Sequence, residues 1–63
     1  MIKNFVVTKN PIDDKFRVTE EGDELGTAYG GVHDTPTKAF LYGLKFLNKN
    51  CKKPFVIKFK GER

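Results

Sequence analysis

TPTKAFLYGLKFLNKNCKK, which runs from residue 35 to residue 53, carries the strongest helix signal in the chain. Thr35 is a good N-cap, and Pro36 suits the first helical position because its missing N–H has no intrahelical partner there in any case. One apolar stripe recurs at spacings of four, three and four and comprises Phe40, Leu44, Leu47 and Cys51. Since Pro54 cannot continue a helix, the segment predicts a helix from about Pro36 to Asn50.

Four segments outside this helix have the patterns of β-strands. They are Ile2–Thr8, Lys15–Thr19, Leu25–Val32 and Phe55–Lys60. The first ends at a Lys9-Asn10-Pro11 turn signal, and Gly22 favours a positive φ in the turn that follows the second. The Gly30-Gly31 pair inside the third predicts either a bulge or the point where the chain leaves the sheet.

The 63 residues predict one domain, residues 1–63, of the α+β class with the element order β-β-β-α-β. We expect a mostly antiparallel sheet with one helix packed across one face. The last strand enters either as a parallel neighbour through a right-handed crossover or as an antiparallel return at the edge. Together with the helix stripe, alternation predicts an inward set of Phe5, Val7, Phe16, Val18, Leu25, Tyr29, Phe55, Ile57 and Phe59. The outward set is Asn4, Val6, Thr8, Lys15, Arg17, Thr19, Val56, Lys58 and Lys60.

The net charge of +4 is unevenly distributed along the chain. Residues 1–37 carry four basic and seven acidic side chains, whereas residues 38–63 carry eight basic and one acidic side chain. Such a split favours a polyanion or an acidic protein surface as the partner. The alternative interpretation is that the charge serves only solubility.

Lysines recur along the predicted helix on the side away from its apolar stripe. This basic stripe follows spacings of four, three, four and three and comprises Lys38, Tyr42, Lys45, Lys49 and Lys52. Two positions, which is about 200° of helical rotation, separate a member of the apolar stripe from each of Lys38, Tyr42, Lys45 and Lys49. Residues 36–61 contain no acid, although exposed helix faces usually mix Glu with Lys. We therefore interpret the stripe, with the adjoining Lys53, as a binding surface; the alternative is the ordinary polar side of a helix.

The face of the sheet away from the helix is also predicted to be basic, around Val6 and Val56. Its cations are Lys15, Arg17, Lys58 and Lys60. Because nearly all aromatic residues fall in the inward set, a platform that stacks single-stranded bases on the sheet is disfavoured. The same face, or a sheet edge, offers a surface for a homodimer.

A three-stranded sheet followed by a helix, with a basic face that lacks aromatics, resembles the amino-terminal arm-binding domain of some phage and transposon integrases. The likeness covers residues 2–50 in element order, and the final strand lies outside it. The complete β-β-β-α-β order is also similar to small accessory proteins of bacteriophages and bacteria, among them antitoxins and inhibitors of host defence. The first resemblance implies strands that enter the DNA major groove, and the second implies a protein partner.

The side chains needed for most catalytic and metal sites are missing. The chain has no Ser, Trp or Gln, one His and one Cys. His33 and Cys51 lie at opposite ends of the predicted helix, too far apart for a nucleophile–base pair, and no spacing matches a zinc or calcium site. Tyr29-Gly30-Gly31 lacks the lysine and the spacing of a phosphate loop. We expect a non-enzymatic protein without metal or cofactor, in which Cys51 is a reduced packing residue.

No apolar run approaches the ~20 residues of a membrane span, and the first residues lack the hydrophobic region of a signal peptide. The single cysteine favours a reducing, cytoplasmic compartment, which for a phage protein is the host cytoplasm. Two functions remain open. One is a nucleic-acid-binding accessory or regulatory protein of phage or bacterial type, with duplex preferred over single-stranded ligands. The other is a protein-binding inhibitor or antitoxin that docks on an acidic surface of a host protein, aided by its own acidic turn at residues 20–24.

Overall fold

The computed structural model describes residues 2–23 and 26–59, which form four strands and one helix. In chain order they are β1 (Lys3–Asn10), β2 (Lys15–Glu20), β3 (Tyr29–His33), α1 (Pro36–Asn50) and β4 (Phe55–Phe59). The predicted α+β class, element order and helix bounds are confirmed. The third strand is shorter than predicted, because it begins at Tyr29; Leu25 and Lys60 lie outside the described residues.

The sheet is mixed, with the strand order β3-β2-β1-β4. β1 pairs antiparallel with β2, and β2 pairs antiparallel with β3. β4 lies parallel to β1, with Phe55 beside Lys3 and Phe59 beside Val7. The chain therefore uses the parallel alternative for its last strand. The connection through α1 carries the chain from one edge of the sheet to the other, and the helix packs mainly against β3 and β2.

Both tight turns depend on residues with positive φ. Between β1 and β2, Asp14 has φ 61° and its backbone N–H donates to the carbonyl oxygen of Asn10 at 2.7 Å. After β2, Gly22 has φ 90°, and the N–H of Asp23 donates to the carbonyl oxygen of Glu20 at 2.9 Å. The predicted positive φ at Gly22 is confirmed, and a negative φ at Glu21 makes this the geometry of a type II turn.

The capping of α1 follows the prediction, whereas its rotational phase differs. The Thr35 hydroxyl accepts a hydrogen bond from the backbone N–H of Lys38 at 3.2 Å, and Cys51 closes the helix in an extended conformation. The buried row of the helix is Ala39, Gly43 and Leu47. Phe40, Leu44 and Cys51 are only half-buried. Of the predicted apolar stripe only Leu47 is fully buried, because the sheet takes the small residues closest to it and leaves the larger ones at the margin.

Two glycines set the distance between β3 and α1. The register between β2 and β3 shifts between Phe16 and Val18, so the Gly30-Gly31 pair forms the irregularity that its composition predicts. A Cβ atom on Gly30 would lie 2.6 Å from the backbone nitrogen of Gly43, and one on Gly43 would lie 2.5 Å from Cγ2 of Val18. Both distances are below any normal contact, so glycine at these positions allows the helix backbone to rest directly on the sheet.

The core lies between α1 and the sheet. Its buried members are Phe5, Val7, Val18, Ala39 and Leu47, with Phe16, Tyr29, Phe40, Cys51, Phe55 and Ile57 packed partly buried against them. Phe59 lies on the predicted side of the sheet, with its ring 5.5 Å from that of Phe40 on α1, but it remains 53% exposed. Phe59 ends a strand at the edge of the sheet, where α1 makes few contacts with it.

The sheet face away from α1 is less open than predicted. Val6 and Thr19 point away from the helix, as alternation requires, but both are buried. They belong to the two inner strands and pair with each other, and Val6 also pairs with Lys58, so neighbouring side chains cover them. Of the two valines predicted at the centre of this open face, only Val56 is exposed.

Candidate functional site

Ion pairs divide the basic residues into two groups. The described pairs are Lys3–Glu20 at 2.5 Å, Lys9–Asp14 at 2.9 Å, Lys15–Asp34 at 2.8 Å, Arg17–Asp13 at 2.6 Å and Lys58–Glu21 at 3.8 Å. Every one of these cations lies on the sheet, and each has its own carboxylate. The acidic side chains of the first half of the chain therefore mainly neutralise the sheet.

The protonation equilibria agree with this pairing. The hydrogen bond from Arg17 lowers the pKa of Asp13 below its usual value, helped by the backbone N–H of Lys15. The hydrogen bond and charge of Lys15 lower the pKa of Asp34, and the same contact raises the pKa of Lys15. These carboxylates hold their charge next to the sheet cations, so an incoming anion has to compete with them.

The predicted basic sheet face is thus occupied by the protein's own acids. The Arg17 side chain is only 13% exposed and donates to both carboxylate oxygens of Asp13. Lys15 and Lys58 are more exposed but are also paired, and Lys60 lies outside the described residues. The sheet cations remain candidate binding residues, but an external anion would have to displace the carboxylates that already pair with them.

The second group of basic residues lies on α1 and directly after it. Among residues 2–23 and 26–59, no carboxylate lies within 4.0 Å of Lys38, Lys45, Lys49, Lys52 or Lys53. All five are exposed. Lys52 and Lys53 follow the C-cap Cys51, so they extend the surface beyond the helix and do not continue its stripe. These five lysines, together with Tyr42, are called the basic helix surface from here on.

The helical members of this surface form a narrow strip. Rotation of about 100° per residue places them in one sector about 60° wide, on the side of the helix turned away from Gly43. The sector runs in order through Tyr42, Lys49, Lys38 and Lys45. The predicted stripe is therefore present as far as Lys49, with Tyr42 at its margin nearest β3.

Tyr42 belongs to a stacked aromatic pair that the sequence did not indicate. Its ring lies on the His33 ring with centroids 4.6 Å apart and planes 11° from parallel. The His33 Nε2 lies 2.8 Å from the carbonyl oxygen of Gly30, which fixes the imidazole against β3. Tyr42 remains 51% exposed. The sequence signals for this pair are the glycines at 30 and 43, whose close contact brings β3 beside the helix.

Large apolar side chains flank the lysines. Leu41 is 50% exposed and Phe46 is 43% exposed, although the Phe46 ring also approaches that of Tyr29 at 6.2 Å. The basic helix surface is thus a mixture of cationic and apolar groups, which suits a ligand that offers both negative charge and flat or apolar area.

Other chemistry finds little support in the described part of the chain. His33 and Cys51 flank the two ends of a fifteen-residue helix, about 22 Å long, and do not meet. Residues 2–23 and 26–59 contain no group of three or more His, Cys, Asp or Glu side chains placed to hold a metal ion. An open depression of about 210 Å³ between α1 and β1 holds one ammonium group, that of Lys3, which Glu20 already neutralises. Helix α1, the helix that the described residues form, is not long and apolar enough to cross a membrane.

Comparisons of this chain with protein-family models, with curated proteins and with solved structures gave no match.

Proposed function

We propose that this protein is a non-enzymatic nucleic-acid-binding accessory or regulatory protein of phage or bacterial type, acting in the cytoplasm without metal or cofactor. The division of the ion pairs carries the proposal. Five cations on the sheet are neutralised by the protein's own carboxylates, whereas no carboxylate of residues 2–23 and 26–59 lies within 4.0 Å of a lysine of the basic helix surface. Five exposed lysines that pair with no carboxylate in the described part of the chain are suited to an external polyanion.

The physical basis of binding is the release of counterions from phosphates. Each phosphate neutralised by a lysine contributes about −0.9 to the slope of log K against log salt on duplex DNA, and about −0.7 on a single strand. If all five lysines contact phosphates, the slope reaches about −4.5 on duplex DNA and about −3.5 on a single strand. Lysines on the sheet contribute less, because displacing their carboxylates offsets the gain.

A matched pair of variants tests the assignment. Lys45→Gln with Lys49→Gln removes two charges from the basic helix surface, and Lys9→Gln with Lys58→Gln removes two charges from the sheet. Both double variants have the same net charge, and exposed substitutions of this kind change stability by only about 0.5 kcal/mol each. Fluorescence anisotropy at two salt concentrations measures binding to duplex DNA, single-stranded DNA and RNA.

We expect the helix variant to flatten the salt slope by about two units and the sheet variant to leave it nearly unchanged. Equal effects of the two variants would show that only net charge matters and would remove the helix assignment. Binding that survives in the helix variant but is lost in the sheet variant would move the site to the sheet cations. Absence of binding to all three ligands at low salt would refute the nucleic-acid function.

A protein partner is the second candidate, and the exposed Leu41 and Tyr42 favour it. Interfaces between proteins are anchored by apolar and aromatic side chains at their centres, with charges at the rim. In this case the protein is an inhibitor or antitoxin whose lysines dock on an acidic surface. Purification from a bacterial lysate with and without nuclease separates the two candidates: a stoichiometric protein retained after nuclease treatment supports the second, and loss of all bound material supports the first.

A further inference from the structure

We propose that Tyr42 is a stacking position for an unpaired base, so that the ligand of the basic helix surface is single-stranded nucleic acid. This inference rests on the proposed function and specifies its ligand. It reverses the sequence-based preference for duplex, which considered only the aromatic residues of the sheet.

The exposed part of Tyr42 is suitable for stacking. His33 covers one face of the phenol ring in a nearly parallel arrangement. Since half of the residue nevertheless remains exposed, the exposed area lies on the opposite face and the edge of the ring. A base that stacks there extends an existing two-ring stack to three rings. Every base has a π-face, so such a contact tolerates any sequence.

The ring is already held in place before a ligand arrives. His33 is fixed by its contact with the Gly30 carbonyl, and Gly30 itself rests against the backbone of Gly43, the residue next to Tyr42. The stack therefore joins β3 and α1 beside the close approach of Gly30 to Gly43. Because the aromatic pair is ordered without ligand, binding costs little of the side-chain entropy that usually opposes association.

Lysines lie on both sides of this ring along the helix. Lys38 precedes Tyr42 by four residues and Lys45 follows it by three, which places them about 6 Å and 4.5 Å away along the helix axis. Lys49 continues the row one turn further. A nucleotide stacked on Tyr42 therefore has ammonium groups on either side for its own phosphate and for the next. In a duplex the base faces are buried in the stack, so a duplex can use the lysines but not the ring.

The test compares ligands that carry similar phosphates but differ in whether they offer an accessible base. They are a short thymidine single strand, an abasic strand with the same number of phosphates, and a blunt-ended duplex without a loop. The proteins are wild type, Tyr42→Leu, which keeps an apolar side chain without a π-face, Tyr42→Phe, which keeps the ring, and the Lys45→Gln/Lys49→Gln variant. Circular dichroism confirms that each variant is folded.

We expect Tyr42→Leu to weaken binding of the thymidine strand by about 5- to 150-fold, the equivalent of one base–aromatic stack. It should leave the abasic strand, the duplex and the salt slope unchanged, and Tyr42→Phe should bind like wild type. As a direct readout, Tyr42→Trp introduces the one indole of the chain, and its fluorescence should be quenched by the thymidine strand and not by the abasic strand.

The outcomes distinguish the stacking position at Tyr42 from the proposed nucleic-acid binding on which it rests. If the lysine variant weakens all three ligands and Tyr42→Leu weakens none, the stacking position is refuted and nucleic-acid binding stands. A Tyr42→Leu effect of equal size on strand and duplex also refutes stacking. If wild type binds none of the ligands at low salt, both proposals fail, and a protein partner that is lost in Tyr42→Leu replaces them.

Discussion

Alanine at position 30 should destabilise the protein through two separate effects. The first is conformational, because Gly30 has φ 84°, a value that costs an L-residue roughly 1–2 kcal/mol. The second is steric, because the new Cβ would lie 2.6 Å from the backbone nitrogen of Gly43. No side-chain rotation relieves a contact between two backbones, so β3 and α1 have to separate, at a cost of about 1–3 kcal/mol.

Alanine has less conformational entropy than glycine in the unfolded chain, and this difference offsets about 0.4–1 kcal/mol of the cost. The net loss for Gly30→Ala is therefore on the order of 1–4.5 kcal/mol. A domain of this size has a total free energy of unfolding of roughly 3–9 kcal/mol, so the variant is expected to be partly unfolded near physiological temperature.

Gly22→Ala is the matched control. Gly22 has almost the same φ, 90°, but a Cβ there meets nothing within 4 Å. Its substitution isolates the conformational cost, about 1 kcal/mol or less after the entropy offset. Urea unfolding followed by far-UV circular dichroism gives both free energies. Equal losses in the two variants would show that β3 and α1 do not touch at Gly30, and the account of the glycine contact would be refuted.

Three further predictions concern stability and chemistry. Leu47→Ala should lower the free energy of unfolding by about 2–5 kcal/mol, and Leu44→Ala by clearly less, because only Leu47 is buried; equal losses in thermal melts would restore the predicted helix phase. Cys51→Val should leave nucleic-acid binding unchanged in anisotropy titrations, and a folded variant without binding would assign the thiol a function. Because the pKa of Asp34 is lowered in the folded state, its pairing stabilises the protein above pH ~4 and this contribution is lost as the pH falls through the folded pKa. Asp34→Asn should flatten the acid limb of the urea midpoint against pH, and an unchanged limb would show that the Lys15 contact has no effect on stability.

The bounds of α1 were predictable because helix signals are local. Thr35, Pro36 and Pro54 act on backbone groups within one turn of themselves, so a short window of sequence contains the whole argument. The positive φ at Gly22 was predictable for the same reason. The phase of the helix was not, because hydrophobicity ranks Leu44 above Gly43, whereas close packing on the sheet prefers the residue with no side chain.

The candidate surface was only partly predictable. The row of Lys38, Lys45 and Lys49 follows from helical spacing alone. Its contrast with the sheet cations does not, because ion pairs such as Lys15–Asp34 join residues nineteen positions apart and exist only after folding. The support of Tyr42 by His33 likewise depends on how closely β3 approaches the helix, which no local pattern encodes.

The parallel pairing of β1 with β4 has a consequence for how the chain folds. β2 reaches β1 through a short turn, but Phe55 has to find Lys3 across nearly the whole described length. Closing so long a loop costs entropy before any ladder hydrogen bond forms, so we expect the first hairpin and the helix to assemble early and the last strand to dock late. Until it docks, one edge of β1, with its apolar Phe5 to Val7 segment, has unpaired backbone groups. During synthesis this edge of β1 stays unpaired until β4 has been made and docks. In that interval we expect the domain to be most prone to strand pairing with a second copy of itself.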